Sequence, residues 1–353
     1  MHFAIRRISI LVSLILLAGA PLFAQQSSHA ANAPLKIGYS LESLKIERWQ
    51  TDVAEFQKRA RELGATVLVE TAGGDADLQY QQSQKLLRSG IQVLVIVAHN
   101  TDTASRIVEA AKAKKVPVLC YDRLIRNTKD VDLFVGFDSF SIGARQAASL
   151  VQRAPKGNYV LIEGSPNDLN AKLTHDGQMS VLKPLVERGD IKIVADSWSA
   201  DWSPTEAYMH MTAAIASNGN DIAAVVAAND GTAGGAIQAL QEHNLAGKVL
   251  VSGQDADLAG IVKILDGSQT MTVYKPISLA ADRAAEAAVA LARGGKFDTH
   301  RTVSNGTAEI QAILLDSIVV TKDNVKQTVI KDGFQKADMI KQELPKDKWS
   351  LLD

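Results

Sequence analysis

The chain has a single cysteine, Cys120, set inside the apolar run VPVLCY. One thiol makes no intramolecular disulfide, so stability has to come from packing. Aromatic residues are scarce at 5%, with four tryptophans in 353 residues, so each Trp needs a reason for its place. Neither sign of charge is in excess. The 38 Lys and Arg stand against 39 Asp and Glu, which removes the basic footprint of a nucleic-acid binder. Enzyme signatures are missing as well: there is no GxSxG, HExxH or GxGxxG, and the seven histidines are scattered. The glycines from Gly231 to Gly235 are not followed by the Lys-Ser/Thr pair of a phosphate loop; close helix–strand packing explains them. GQDADLAG lacks the alternating oxygen ligands and terminal Glu of a calcium loop. No catalytic residue, metal site or cofactor is therefore expected.

What is present begins with a cleavable leader. Arg6 and Arg7 form a positive start, Ile8 to Leu17 an apolar centre, and Ala18 to Ala24 a stretch of small residues ending in a cleavage site after Ala24. Residues 1–24 read as a secretory signal peptide, too short for a membrane anchor, which places the mature protein in the periplasm. Ala20 stands where a lipoprotein signal would carry cysteine, and residues 25–34 read as a flexible lead-in. The remaining length is too great for one core and suggests two domains.

From Leu35 on, strand and helix signals alternate. Trp49, Val53, Phe56 and Ala60 recur at helical spacing, and Gly64 closes that helix. IQVLVIVA is a continuous apolar run, as expected of a parallel strand covered on both faces. Helices are expected from about Leu78 to Arg88, Ala171 to Arg188 and Thr205 to Ser217. The pattern gives an α/β fold with two doubly wound parallel-sheet lobes. Residues 336–353 read as a charged, irregular surface tail on which Trp349 packs back against the body.

Strand-like runs end repeatedly in residues able to grip a polyol. VPVLCY leads to Asp122-Arg123, YVLIEGSP to Asn167-Asp168-Leu169-Asn170, AAVVAA to Asn229-Asp230, VLVSGQ to Asp255 and MTVY to Lys275; LKIGYS is followed by Arg48-Trp49. In open α/β sheets ligands bind beyond the carboxyl ends of the strands, so these residues can converge on one pocket. A guanidinium at Arg123 beside Asp122 would keep that carboxylate ionised, which argues against pairing Asp122 with Asp255 as glycosidase acids. One of Asn167, Asp168 and Asn170 is expected to cap the next helix. Trp202, in a polar loop, is expected to face a cleft, and Trp198, closing a strand, to sit in the core. Amides, carboxylates and guanidinium groups with nearby indoles suit a small neutral ring covered in hydroxyls. That combination points to a sugar.

From Leu35 to about Gln335 the chain resembles periplasmic sugar-binding proteins of the ribose/galactose type, and within them the D-xylose receptors of bacterial ABC transporters. The resemblance is carried by ERWQ (Glu47 to Gln50), CYDR (Cys120 to Arg123), GSPNDLNAKL (Gly164 to Leu173), GQMSVLKP (Gly177 to Pro184) and AANDGTAGGAIQAL (Ala227 to Leu240). SGQDADLAGI (Ser252 to Ile261), QTMTVYKPI (Gln269 to Ile277) and QTVIKDGF (Gln327 to Phe334) extend it. It implies the type I periplasmic binding protein fold, two lobes joined by a three-segment hinge. The crossings would fall near Phe137–Ser141, Tyr274–Ile277 and Asn305–Ile310. The lobes would then comprise residues 35–139 with 276–307, and 140–275 with 308–335. The family's ligand positions fall on Arg48, Asp122, Arg123, Asp168, Asn170, Asn229, Asp255 and Lys275, with Trp49 and Trp202 flanking the sugar. The implied partners are D-xylose and an inner-membrane ABC permease with its ATPase, for a monomeric receptor. A sugar-responsive transcription regulator of related architecture would need a helix-turn-helix where the signal peptide stands.

Overall fold

The computed structural model describes residues 34–296, 299 and 301–352; the expected signal peptide lies outside the described residues. The first half alternates as its apolar periodicity requires: β1 (Leu35–Leu41), α1 (Arg48–Glu62), β2 (Ala65–Thr71), α2 (Ala76–Arg88), β3 (Val93–Val97), α3 (Ser105–Ala113), β4 (Val118–Tyr121) and β5 (Leu133–Phe137). The second continues with α4 (Ser139–Val151), β6 (Gly157–Glu163), α5 (Leu169–Glu187), β7 (Ile191–Trp198), α6 (Pro204–Asn218), β8 (Ala224–Ala227), α7 (Asp230–Glu242), β9 (Leu250–Val251), α8 (Leu258–Asp266) and β10 (Thr272–Tyr274). Then come α9 (Ile277–Ala292), β11 (Thr302–Ser304), β12 (Glu309–Leu315), β13 (Ile318–Val320) and α10 (Ala337–Glu343).

The first sheet has the order β11-β12-β5-β4-β3-β1-β2, parallel except for the β11–β12 pair. Every residue of β3, β4 and β5 is buried, because helices cover both faces. Phe56 of α1 and the alanines of α9 pack on one face; Ile107 and Val108 of α3 with Leu86 and Leu87 of α2 pack on the other. The second sheet runs β7-β6-β8-β9 in parallel, and a single bridge from Gln254 to Val273 joins it to the antiparallel pair β10-β13. Helices α6 and α7 cover one face and α4 and α5 the other.

Glycine decides two helix crossings. A Cβ on Gly143 of α4 would lie 1.9 Å from the Thr174 carbonyl oxygen of α5, and one on Gly177 would lie 2.0 Å from that of Phe140. In α7, a Cβ on Gly235 would meet the Pro204 carbonyl oxygen at 2.0 Å. Of the glycines after Asn229, Gly235 therefore serves helix–helix contact with α6, not the helix–strand packing expected from the sequence, and a Cβ on Gly234 would meet nothing within 4 Å.

Two boundaries also differ from expectation. Glu309–Leu315 pairs with β5 in the first sheet, so the third crossing falls at Asp316 and Ser317, after this strand and not at residues 305–310. The ambiguity is physical: β12 and β13 are both short apolar runs, and only hydrogen-bond partners assign each to a sheet. Residues 336–353 are not an irregular tail either. Helix α10 and a 3-10 turn over Lys346–Leu351 bury Ile340, Leu344 and Leu352 against Ile261, Leu265 and Val329. Trp349 does pack on this body, and its indole N–H donates to the Leu344 carbonyl.

Candidate functional site

The carboxyl ends of β1, β4, β6, β8, β9 and β10 face one another across the two sheets. Around the space between them lie Arg48, Trp49, Asp122, Arg123, Asp168, Asn170, Trp202, Asn229, Asp255 and Lys275, joined by Ile46 and Gln254. About 290 Å³ of atom-free space lies among them, part of it open to solvent. All ten side chains singled out from the sequence meet here.

Their positions follow from local structure. Arg48 and Trp49 open α1, where the helix start aims both toward the strand ends. Asp122 has φ 61° and Asp255 φ 93°, left-handed conformations that turn each carboxylate into the cavity at a strand terminus. Trp202 has φ 58° in the tight turn before α6. Strained backbone of this kind persists only where surrounding contacts over-determine it, and it clusters at functional sites. Gly164 makes room for Trp202: a Cβ there would lie 2.4 Å from the indole ring.

Two alternating chains of charge run through the site. Arg48 donates to Asp52 through Nε at 3.0 Å and through Nη2 at 3.0 Å, and to Asp122 through Nη1 at 2.8 Å. Asp52 also accepts from the Tyr121 hydroxyl. Lys275 Nζ lies 2.8 Å from Asp255 and 3.7 Å from Asp122, and Arg48 Nη1 lies 3.8 Å from Asp255. In the second chain, Arg123 Nε pairs with Asp168 at 2.8 Å, Nη2 with Glu42 at 3.4 Å, and Nη1 donates to the Ala98 carbonyl at 3.1 Å. The pairing between sequence neighbours Asp122 and Arg123 is thus not made. Successive side chains at a strand end point to opposite sides, so each finds its partner elsewhere.

Burial alone would raise the Asp122 carboxyl, but Arg48, Lys275 and Arg123 outweigh it and hold it at about 2. Burial likewise works against Glu42, and Arg123, with help from His99 and Ser43, lowers it to about 2. At Asp168 burial wins over Arg123 and the carboxyl is raised. The indoles are fixed by their N–H groups: Trp49 donates to Glu42 at 3.0 Å and Trp202 to Asp168 at 3.2 Å. The Arg48 guanidinium lies 4.4 Å over the Trp49 ring. Asp168 caps α5 by accepting from the Asn170 backbone N–H, and Asn229 caps α7 through Thr232. Both residues therefore carry the capping role and a place on the cavity.

Several contacts span the two sheets' lobes directly. Asn170 Nδ2 donates to the Asp122 carbonyl at 2.9 Å, Arg123 meets Asp168, and the Leu258 N–H reaches Glu47 at 3.4 Å. Glu42, Asp52 and Gln254 are participants the sequence reading passed over. Glu42 directly follows β1, so the strand-end rule applied to LKIGYSL would have found it; Gln254 adjoins Asp255 in the same way. Asp52 shows only as an i, i+4 partner of Arg48. The tryptophan pair is corrected in part: Trp202 is 7% exposed on the cavity, whereas Trp198 is only half-buried on the edge strand β7, its ring 5.5 Å from that of His175.

A family profile described as "Periplasmic binding protein domain" matches residues 37–296. The chain belongs to the periplasmic binding protein family. It is 47% identical over 328 residues to the D-xylose-binding periplasmic protein of Haemophilus influenzae, covering 93% of this chain and 98% of that protein. It is 48% identical over 323 residues to the protein of the same name from Escherichia coli, covering 92% and 97%. A solved carbohydrate transporter solute binding protein from Chloroflexus aurantiacus, in complex with D-glucose, superposes with TM-score 0.81 at 30% identity, covering 86% of this chain and 98% of that one. Members of this family are binding receptors that perform no reaction.

Proposed function

We propose that this chain is the periplasmic receptor of an ABC transporter for D-xylose. It would be exported by cleavage after Ala24 and work as a monomer, handing the sugar to an inner-membrane permease driven by its ATPase. The single observation that carries the reading is the convergence of ten polar and indole side chains on one small cavity between two lobes. Two relatives at 47% and 48% identity that carry the name D-xylose-binding periplasmic protein support the choice of sugar.

The geometry suggests how such a site would work. Asp122, held ionised, accepts from sugar hydroxyls, while Arg48, Arg123 and Lys275 donate to them. Asn170 and Asn229 supply amides, and Trp49 and Trp202 offer apolar faces to the ring C–H groups. Asp122 comes from the first lobe and Asp255 from the second, so a sugar bridging them favours the closed arrangement and shifts the hinge equilibrium. The hinge would be the three crossings at Asp138, Lys275–Pro276 and Asp316–Ser317.

D-Xylopyranose has every ring hydroxyl equatorial and no hydroxymethyl at C5. L-Arabinose and D-ribose each turn one hydroxyl axial, leaving a buried group unpaired at about 1–3 kcal/mol. D-Glucose keeps the equatorial pattern, and only overfilling of the cavity, about 1–3 kcal/mol, opposes it. Isothermal titration should rank D-xylose first, D-glucose second, and the epimeric pentoses behind. Tighter binding of D-ribose or L-arabinose than of D-xylose would overturn the sugar assignment; no heat with any monosaccharide would overturn the receptor reading.

A further inference from the structure

Outside the cavity, at the edge of the second sheet, three side chains of metal-ligand type meet. The parallel register sets Leu161 opposite Asp196, and alternation along β6 places Tyr159, Leu161 and Glu163 on the face covered by α4 and α5. His175, on α5, reaches over the same edge. Its Nε2 lies 3.0 Å from Asp196 Oδ2, and one potential ligand atom from each of Glu163, His175 and Asp196 falls within 4.8 Å of the others.

Glu163 gives the independent sign that something belongs there. It is 0% exposed, and neither carboxylate oxygen has a hydrogen-bond partner. Among the described residues, no Lys or Arg forms an ion pair with it, and the neighbouring Gln178 Oε1 is likewise without a hydrogen-bond partner. Buried carboxylates are almost always satisfied, by protein or by a bound cation.

We propose that Glu163, His175 and Asp196 form a binding site for a divalent transition-metal cation of the zinc class. One imidazole nitrogen and two carboxylate oxygens make a borderline-soft donor set, and water can supply the fourth position. Calcium would need six to eight oxygens. Tetrahedral zinc with bonds of about 2.0–2.1 Å separates its ligand atoms by about 3.4 Å, so the longer sides of the triangle have to contract by up to about 1.4 Å and the His175–Asp196 pair, now at 3.0 Å, to widen slightly. His175 is half-buried and Asp196 lies at the surface, so both have room for that movement. The Trp198 ring against His175 restrains the imidazole.

The test uses the exported protein, purified without a histidine tag and stripped with chelator. Zn²⁺ titration should show one site with Kd below about 10 µM. His175→Ala and Glu163→Gln should each weaken it at least about tenfold. Co²⁺ should give the visible absorption of a four-coordinate centre, lost in both variants. Sugar titration and the melting temperature of each variant report folding separately, because none of the three residues lines the sugar cavity. Absence of a Zn²⁺ site, an isotherm unchanged in both variants, or Ca²⁺ binding more tightly than Zn²⁺ would each overturn the proposal.

Discussion

Two groups of buried carboxylates stand close together in this molecule and behave in opposite ways. Asp122 and Glu42, at strand ends of the first lobe, are held near 2 against the effect of burial, Asp122 by Arg48, Lys275 and Arg123, and Glu42 by Arg123 with His99 and Ser43. Asp230, in the second lobe, has amides where the first pair has cations, and beside it half-buried Asp257 has a carboxylate oxygen with no hydrogen-bond partner. Gln269 Nε2 donates to Asp230 at 2.7 Å and the Asp257 backbone N–H at 3.0 Å. Burial raises Asp230 to about 7, and burial with the charge of Asp230 raises Asp257 well above the usual range. Depth does not distinguish Asp122 from Asp230, each 5% exposed. What does is the charge of the donors: cations keep Asp122 ionised at the cavity, and amides leave Asp230 with its proton.

Removing the cations tests the first half of that contrast. Arg48→Ala strands Asp52 and Asp122 together in the interior, and breaking a buried pair costs about 3–5 kcal/mol. Chemical denaturation of the sugar-free protein should show this loss, while an unchanged midpoint would mean that the Arg48 network is not needed to hold the charges. Arg123→Ala separates Asp168 and Glu42 from their shared donor. Sugar affinity should fall by about 2–5 kcal/mol, mostly as faster dissociation. Near-native affinity in titration would remove Arg123 from the site.

The same contrast explains how much the sequence disclosed. Asp122 and Lys275 directly follow strands, and Asn229, Asp255 and Asp168 lie two to five residues beyond theirs, where a local rule still reaches them, and the resemblance to sugar receptors agreed. The partners were not legible. Arg123 neighbours Asp122 in sequence but pairs with Asp168 and Glu42, because strand alternation and packing between lobes decide contacts that adjacency does not. The alternating elements were plain from periodicity, yet β12 and α10 were misplaced. Short apolar runs near the end of the chain carry no mark of which sheet or core will take them.

Asp230 tests the second half. An acid raised in the folded state keeps a proton that the unfolded chain releases, so stability falls as pH rises from about 4 to about 7 and then levels. Asp122 and Glu42 have the reverse sign: their contribution is present above the ordinary carboxyl values and is lost as pH falls toward about 2. Asp230→Asn should remove the neutral-side slope. Its amide can donate to Gln269 Oε1, which has no partner, once that side chain turns. Between pH 5 and pH 8 the parent should lose about 2–3 kcal/mol that the variant keeps. Parallel melting curves across this range would show that Asp230 is ionised in the fold.

The tryptophans give the smallest effect and the finest distinction between a cavity residue and its neighbour. Trp202 is held by Asp168 through its indole N–H and packs against Gly164, on the wall shared with Arg123. Trp202→Ala should weaken sugar binding at least about tenfold, or ~1.4 kcal/mol, through lost ring contact. Trp198 lies four residues earlier, half-buried against His175 at the sheet edge and outside the cavity lining. Trp198→Ala should lower the melting temperature with sugar affinity kept within about twofold, a difference of about 0.4 kcal/mol. Because Asp168 is already raised by burial, loss of the Trp202 donor should raise it further, so the Trp202 variant should lose more affinity at pH 5 than at pH 7. Titrations of both variants at the two pH values would separate a stacking face from a group that also keeps Asp168 charged: equal losses at both leave Trp202 as a stacking face alone.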